Sequence, residues 1–268
     1  MATIQLNEKD LKTNLKRLIN EYKDLIIEST TYTTKIKLPD GTNYLFAAGN
    51  TNKNTLIAAS MIKRDVKNAN FEPFEFKESV HYFNFNENIP YYLKECYCVD
   101  INSAYPTELK NRNLITEKTY KHLTNKIKKD ERLKSLGMLA TNKIIQTIEN
   151  KKVVSIESKE NKTACLFFSV SHKIGEILNE IFLSYPNYCY FFWVDGIFVK
   201  KEIINTVINT INENGFNCSV ERVKGLKKKE NYLIFDKYHY KKEIYENKII
   251  FLPKKRARIS QEIWNFIN

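Results

Sequence analysis

The sequence predicts an α+β protein built on an antiparallel sheet with helices on one face. Three observations carry this expectation. Apolar residues at helical spacing alternate along the chain with short β-branched and aromatic runs. Between residues 144 and 223 the order is hairpin, helix, strand pair, helix, strand, which builds a sheet covered on one side. Finally, 43% of the 268 residues are hydrophobic, enough to bury a core. No apolar run approaches the ~18 residues of a membrane-spanning helix.

From the N-terminus, Leu11, Leu15, Leu18, Ile19, Tyr22, Leu25 and Ile26 recur at helical spacing and predict one helix over about 7–27, capped by Asn7. Runs at 32–38 and 43–46, separated by Pro39-Asp40-Gly41, predict a hairpin. Leu56, Ile57, Ala59, Met61 and Ile62 mark a helix over 55–66. The aromatics Phe71, Phe74, Phe76, Tyr82, Phe83, Phe85, Tyr91 and Tyr92 read as strand packing in preference to a base-stacking platform. A short helix is expected over 105–112. Two more are expected over 116–143, with Tyr120, Leu123, Ile127, Leu136 and Leu139 on a packing face. Their outer face is basic, with Lys118, Lys121, Lys126, Lys128, Lys129, Arg132 and Lys134. Residues 144–169 predict a hairpin with strands at 152–158 and 163–169. Ile174, Ile177, Leu178, Ile181 and Phe182 mark a buried helix. Strands at 188–193 and 197–199 flank a tight turn at Asp195. A helix through Val207 and Ile211 stops at Asn214-Gly215, and a strand returns over 217–223. The tail is basic with interleaved aromatics, and Ile263, Trp264 and Ile267 predict a closing helix over 259–267.

The chain carries 43 Lys+Arg against 31 Asp+Glu, a net charge of +12. That excess suits a polyanionic partner, nucleic acid before an anionic membrane. A lysine-rich composition also follows from an AT-rich genome, which favours Asn and Ile as well. Five scattered cysteines, Cys96, Cys98, Cys165, Cys189 and Cys218, read as free thiols. No cationic-then-apolar leader opens the chain, so a cytoplasmic protein without membrane attachment is expected.

Two carboxylates stand out. Asp100 ends the apolar run through Cys98 and Val99, and Asp195 follows Tyr190-Phe191-Phe192-Trp193-Val194. An isolated carboxylate buried in such a strand costs several kcal/mol. Sharing a divalent metal removes that penalty, and paired acidic ligands on adjacent strands are what phosphoryl transfer needs. Two metal ions about 4 Å apart neutralise the attacking and leaving oxygens. The alternative is an ordinary edge Asp in a turn, and Asp195-Gly196 is a common hairpin-turn dipeptide.

Asp100-Ile101-Asn102-Ser103-Ala104-Tyr105-Pro106 resembles motif A of the family B DNA polymerases, Asp-x-x-Ser-Leu-Tyr-Pro, with only Ala104 departing. Ser135-Leu136-Gly137-Met138-Leu139-Ala140-Thr141-Asn142 resembles the end of motif B in the protein-primed phage branch. Trp193-Val194-Asp195-Gly196-Ile197-Phe198-Val199 resembles motif C, Asp-Thr-Asp-Ser-Ile-Phe-Val. The motifs occur in the family's order, and the resemblance covers about 95–240. Trp193 replaces the first motif C Asp, Gly196 its Ser, and Leu133, Lys134 and Leu136 the Asn, Ser and Tyr of motif B.

The resemblance implies a polymerase palm with very short helical fingers and a small thumb-like C-terminal part. Residues 1–95 would form an N-terminal α+β region without an exonuclease, 96–112 and 144–225 the palm, 113–143 the fingers and 226–268 the thumb-like region. Asp100, Asp195 and the Ile101 carbonyl would bind two Mg²⁺ (or Mn²⁺). Tyr105 would exclude a 2′-hydroxyl, and Ser103, Lys129 and Gly137 would join it at the nucleotide, with Lys129 on the triphosphate. Lys237 and Tyr238 would lie near the primer end, although Asp236 stands where the family has its lysine. The implied activity is DNA-templated DNA synthesis from dNTPs on a primer-template, without proofreading and with reduced fidelity or rate. A priming or processivity protein would be a further partner, and a phage or other mobile element the source. Two other readings remain: a transferase that primes or adds nucleotides without a template, and a non-catalytic nucleic-acid binder.

Overall fold

The computed structural model describes residues 3–7, 10–47, 51–69, 83–86, 92–159, 161, 163–229, 232–234, 238–243 and 248–253. Its elements begin β1 (Thr3–Asn7), α1 (Leu11–Glu21), β2 (Leu25–Ser29), β3 (Thr33–Lys37), β4 (Asn43–Ala47) and α2 (Lys53–Asn68). They continue with β5 (Phe83–Phe85), β6 (Tyr92–Ile101), α3 (Ala104–Asn111), α4 (Glu117–Asn125), α5 (Lys129–Gly137), β7 (Lys143–Glu149) and β8 (Lys152–Lys159). Last come α6 (Ala164–Ser184), β9 (Cys189–Trp193), β10 (Gly196–Val199), α7 (Ile204–Glu213), β11 (Cys218–Lys229), β12 (Tyr232–Ile234), β13 (Tyr238–Glu243) and β14 (Lys248–Pro253). The protein is α+β. Its contacts divide it into two compact units, one of residues 1–78 and 108–170, the other of 79–107 and 171–268. Among the described residues no helix is long and apolar enough to cross a membrane.

The first unit holds a six-stranded sheet in the order β1-β4-β3-β2-β7-β8, antiparallel except for the β1–β4 pair. Its core joins Leu18 of α1 to Leu25, Ile27, Ile36, Leu38, Phe46 and Ile148, with Leu11, Leu15, Ile19 and Tyr22 packed around them. The helix expected over 7–27 is corrected here. It stops at Glu21, Tyr22 is extended, and Leu25 and Ile26 belong to a strand. The burial pattern explains the switch: Leu25 and Ile27 are buried while Ile26 points outward, a period of two instead of 3.6. Asn7 ends β1, and Asp10 takes the cap position.

The β3–β4 hairpin, α2, α4 and α5 stand where expected. Asp65 on α2 locks the start of α4. Its Oδ2 accepts from the Thr116 N–H at 3.0 Å, the Thr116 hydroxyl at 2.7 Å and the Thr119 hydroxyl at 2.5 Å. Burial pushes this carboxyl up, but those bonds and one from Arg64 outweigh it and hold the pKa at about 2. Asn52 caps α2 through the Thr55 N–H and also donates to Glu131, which accepts from the Lys128 N–H at the head of α5. The hairpin expected from strands at 152–158 and 163–169 is also corrected. β8 pairs with β7, and residues from Ala164 onward open α6.

The second unit holds an eight-stranded sheet in the order β14-β13-β12-β11-β6-β10-β9-β5, in which β6 is interior. One face carries Phe192, Ile197, Val99 and Ile101, all at most 1% exposed. The C-terminal half of α6 covers it, where Phe182 meets Phe192 edge to face and Asn179 accepts from Asn84. Helix α7 buries Val207 and Ile211 and ends at Gly215, whose φ of 82° suits glycine alone. The basic stretch after 226 continues the sheet as the end of β11 and β12 to β14. The helix expected over 259–267 lies outside the described residues.

Candidate functional site

The second sheet brings the two singled-out aspartates together, Asp100 on a strand and Asp195 in the turn that leads into the neighbouring strand. Asp100 is the penultimate residue of β6 and pairs in register with Gly196, the first residue of β10. Asp195 directly precedes it, and the Asp195 carbonyl accepts from the Ile101 N–H at 2.8 Å. Two residues 95 positions apart in sequence thus meet across one ladder step.

The turn differs from the expected Asp195-Gly196 pair. Trp193 pairs with Gly196, so the loop residues are Val194 and Asp195, and Gly196 is already strand. Val194 has φ 55°, a left-handed conformation that a β-branched residue adopts only under strain. Ser103, in the turn after β6, is also left-handed at φ 51°. Strained backbone therefore flanks both carboxylates. The Ser103 carbonyl accepts from the Thr107 N–H at 3.0 Å and starts α3. Pro106 is tolerated because it falls in the first turn, where its missing N–H has no intrahelical partner.

Residues directly opposite in antiparallel strands share a face. One row across the sheet reads Trp193, Gly196, Asp100, Ser219, and the next Phe191, Phe198, Cys98, Glu221. Phe191 and Phe198 stack with centroids 4.1 Å apart beside Cys98. Burial raises the Cys98 thiol, and the negative charges of Asp100, Glu221 and Asp195 raise it further. Cys98 is therefore a protonated, inert neighbour of the acidic pair. Burial likewise pushes Cys96 to about 12.

Tyr105 is half-buried on α3, and its hydroxyl shares a 3.2 Å hydrogen bond with Ser171 of α6, itself 4% exposed. Ile101 is buried at the strand end. Lys129 and Gly137 belong to the other unit, as the first and last residues of α5. Lys129 is exposed. At Gly137 a Cβ would lie 2.7 Å from the Tyr32 hydroxyl, so close packing accounts for the glycine there. Lys237 lies outside the described residues, and Tyr238 opens β13 opposite Pro253. Sequence reasoning missed Ser171, Ser219 and Glu221. The alternation of Ser219, Glu221 and Val223 along one strand was the available signal for the last two.

Among the described residues no group of three or more His, Cys, Asp or Glu forms a metal cage. Two carboxylates and a backbone carbonyl are donor types that Mg²⁺ accepts. That ion is commonly held by one or two carboxylates with water and substrate phosphates completing its shell. These donors are all hard oxygen, the type that suits Mg²⁺ or Mn²⁺. No family model matches the chain, and no curated protein matches it.

Proposed function

We propose that this protein is a template-directed DNA polymerase that extends a primer 3′ end by metal-assisted nucleotidyl transfer, without proofreading. One observation carries the reading. The β6–β10 register sets Asp100 against Gly196, and the Asp195 carbonyl accepts from the Ile101 N–H, where two apolar strands end together. The motif resemblance supplies the reaction class.

In this reading Asp100, Asp195 and the Ile101 carbonyl hold Mg²⁺ or Mn²⁺, which supplies charge neutralisation at the reacting phosphate when bound. The primer hydroxyl attacks the α-phosphorus of a dNTP in line, and pyrophosphate leaves. Asp100 and Asp195 orient that centre, and the strained Ser103 turn presents α3 to the sugar. Tyr105, hydrogen-bonded through its hydroxyl to Ser171, is assigned by the resemblance to lie under the sugar and leave no room for a 2′-hydroxyl. Lys129 and Gly137 are assigned to the nucleotide, and Lys237 and Tyr238 to the primer, by the resemblance alone. The shortness of α4 and α5, nine residues each, favours a second reading in which nucleotides are added or primed without a template.

Primer extension by the purified protein with Mg²⁺ and dNTPs tests the proposal. Template-dependent extension, lost in Asp100→Ala and Asp195→Ala, is the expected result. Extension that persists without template selects the transferase. Salt-sensitive DNA binding with no extension under either metal leaves only a nucleic-acid binder.

A further inference from the structure

We infer that Ser171 is a positioning residue for sugar selection: from α6 its hydroxyl holds the Tyr105 ring in one orientation. The inference rests on the nucleotidyl-transfer reading, in which Tyr105 lies under the sugar. It adds a residue that the motif resemblance does not supply, since Ser171 stands between the second and third motifs and belongs to neither.

Local structure sets where the Tyr105 side chain starts. The residue is second in α3 and follows the buried Ala104. The turn before it is left-handed at Ser103, and the Ser103 carbonyl accepts from the Thr107 N–H at 3.0 Å. A tyrosine side chain on a fixed backbone keeps two rotatable bonds. Its hydroxyl sits at the far end of the ring, so tying that hydroxyl down restrains both bonds at once. The 3.2 Å hydrogen bond to Ser171 Oγ is such a tie.

The α6 side shows that serine is not there for the helix. Ser171, Ile174 and Leu178 follow one another at helical spacing and are 4%, 1% and 0% exposed, so position 171 lies on the buried stripe. An alanine there would favour the helix more. A mid-helix serine commonly points to solvent or bonds back to the preceding turn. Here the hydroxyl instead reaches α3. A buried hydroxyl that loses its partner costs stability, so every orientation of Tyr105 that leaves Ser171 behind carries that penalty. Bulk excludes a 2′-hydroxyl only while it stays in place. At 3.2 Å the bond is longer than the commonest hydroxyl pairs, which sets the expected effect at the lower part of what one net hydrogen bond supplies.

Ser171→Ala and Tyr105→Phe remove the bond from either end, and Tyr105→Phe keeps the ring. Both, and the double variant, are read by the ratio of ribonucleotide to deoxynucleotide incorporation in single-turnover extension and by thermal midpoint. Each single variant should raise the ratio by about 3-fold. The double variant should raise it no further than either alone, because the same bond is lost each time. The midpoint of Ser171→Ala should stay within about 2 °C of wild type, since the gain in helix propensity offsets the lost bond. A ratio unmoved in either single variant, an additive double variant, or a Ser171→Ala protein that melts far below wild type or fails to fold overturns the inference. Wild-type protein without extension, or an unchanged ratio in Tyr105→Ala, overturns instead the reading on which it rests.

Discussion

Asp65 offers the sharpest quantitative test of how this structure is held. The perturbation is Asp65→Asn, nearly isosteric and uncharged. Asp65 is 7% exposed, and one of its oxygens accepts three hydrogen bonds at the start of α4. Its pKa falls from 3.8 to about 2. Each pKa unit is worth about 1.4 kcal/mol, so the charge contributes roughly 2 kcal/mol of stability at pH 7. Because the folded pKa is depressed, that contribution is present above about pH 4 and disappears as pH falls through 2. Asp65→Asn should therefore lower stability by about 2 kcal/mol at pH 7, or about 4–8 °C for a unit of this size. Near pH 2 the gap should shrink to a few tenths of a kcal/mol. Urea titrations followed by circular dichroism from pH 2 to 7 measure the gap. Faster amide exchange at Thr119 and Tyr120 would localise the loss to α4. A gap that stays constant with pH, or is absent at pH 7, refutes the assignment of the depressed pKa to this cluster.

Further outcomes follow from the site and the core. Tyr105→Ala should raise ribonucleotide relative to deoxynucleotide incorporation by at least about 10-fold in single-turnover extension, since the bulk facing the sugar is removed; an unchanged ratio removes Tyr105 from sugar selection. Lys129→Ala should raise the dNTP KM by about 10-fold with a smaller change in kcat, as expected for a ground-state charge contact. Val194→Gly should leave the thermal midpoint level or higher, because relief of about 1–2 kcal/mol of left-handed strain offsets the added chain entropy; Val199→Gly, at a fully buried strand position, should lower it sharply. Ile36→Ala should cost about 2–5 kcal/mol in chemical denaturation, because Ile36 is completely buried at the centre of the first unit's core.

The elements legible in the sequence are those whose reasons are local. The 32–46 hairpin carries its turn residues, and α4 carries Thr116, whose hydroxyl accepts from the Thr119 N–H. The Asp100 turn was legible because an apolar run, a carboxylate and a helix start follow one another within seven residues. Residues 163–169 misled for a physical reason. Leu166, Phe167 and Phe168 resemble a strand, yet they open a helix so apolar that its 3.6-residue period is blurred. Leu25 and Ile26 misled in the opposite sense, because they continue the spacing of α1 by coincidence. Pairings such as β2 with β7 leave no local trace at all. The acidic site was half legible. Asp100 and Asp195 could be named, but their shared register, and Gly196 as strand instead of turn, exist only once β6 and β10 are paired.

That β2–β7 pairing has a consequence during synthesis. Ile27 meets Gln146, so about 120 residues must leave the ribosome after β2 before its partner exists, roughly 6–24 s at ordinary translation rates. Through that interval the nascent chain can assemble β2, β3 and β4 while the far side of β2 stays an open edge with unpaired amides. Such an edge is a template for another copy. Nascent chains should therefore form strand-exchanged aggregates when polysomes crowd them together. Slower initiation or a holdase chaperone should raise the soluble yield more than slower elongation, which only lengthens the wait.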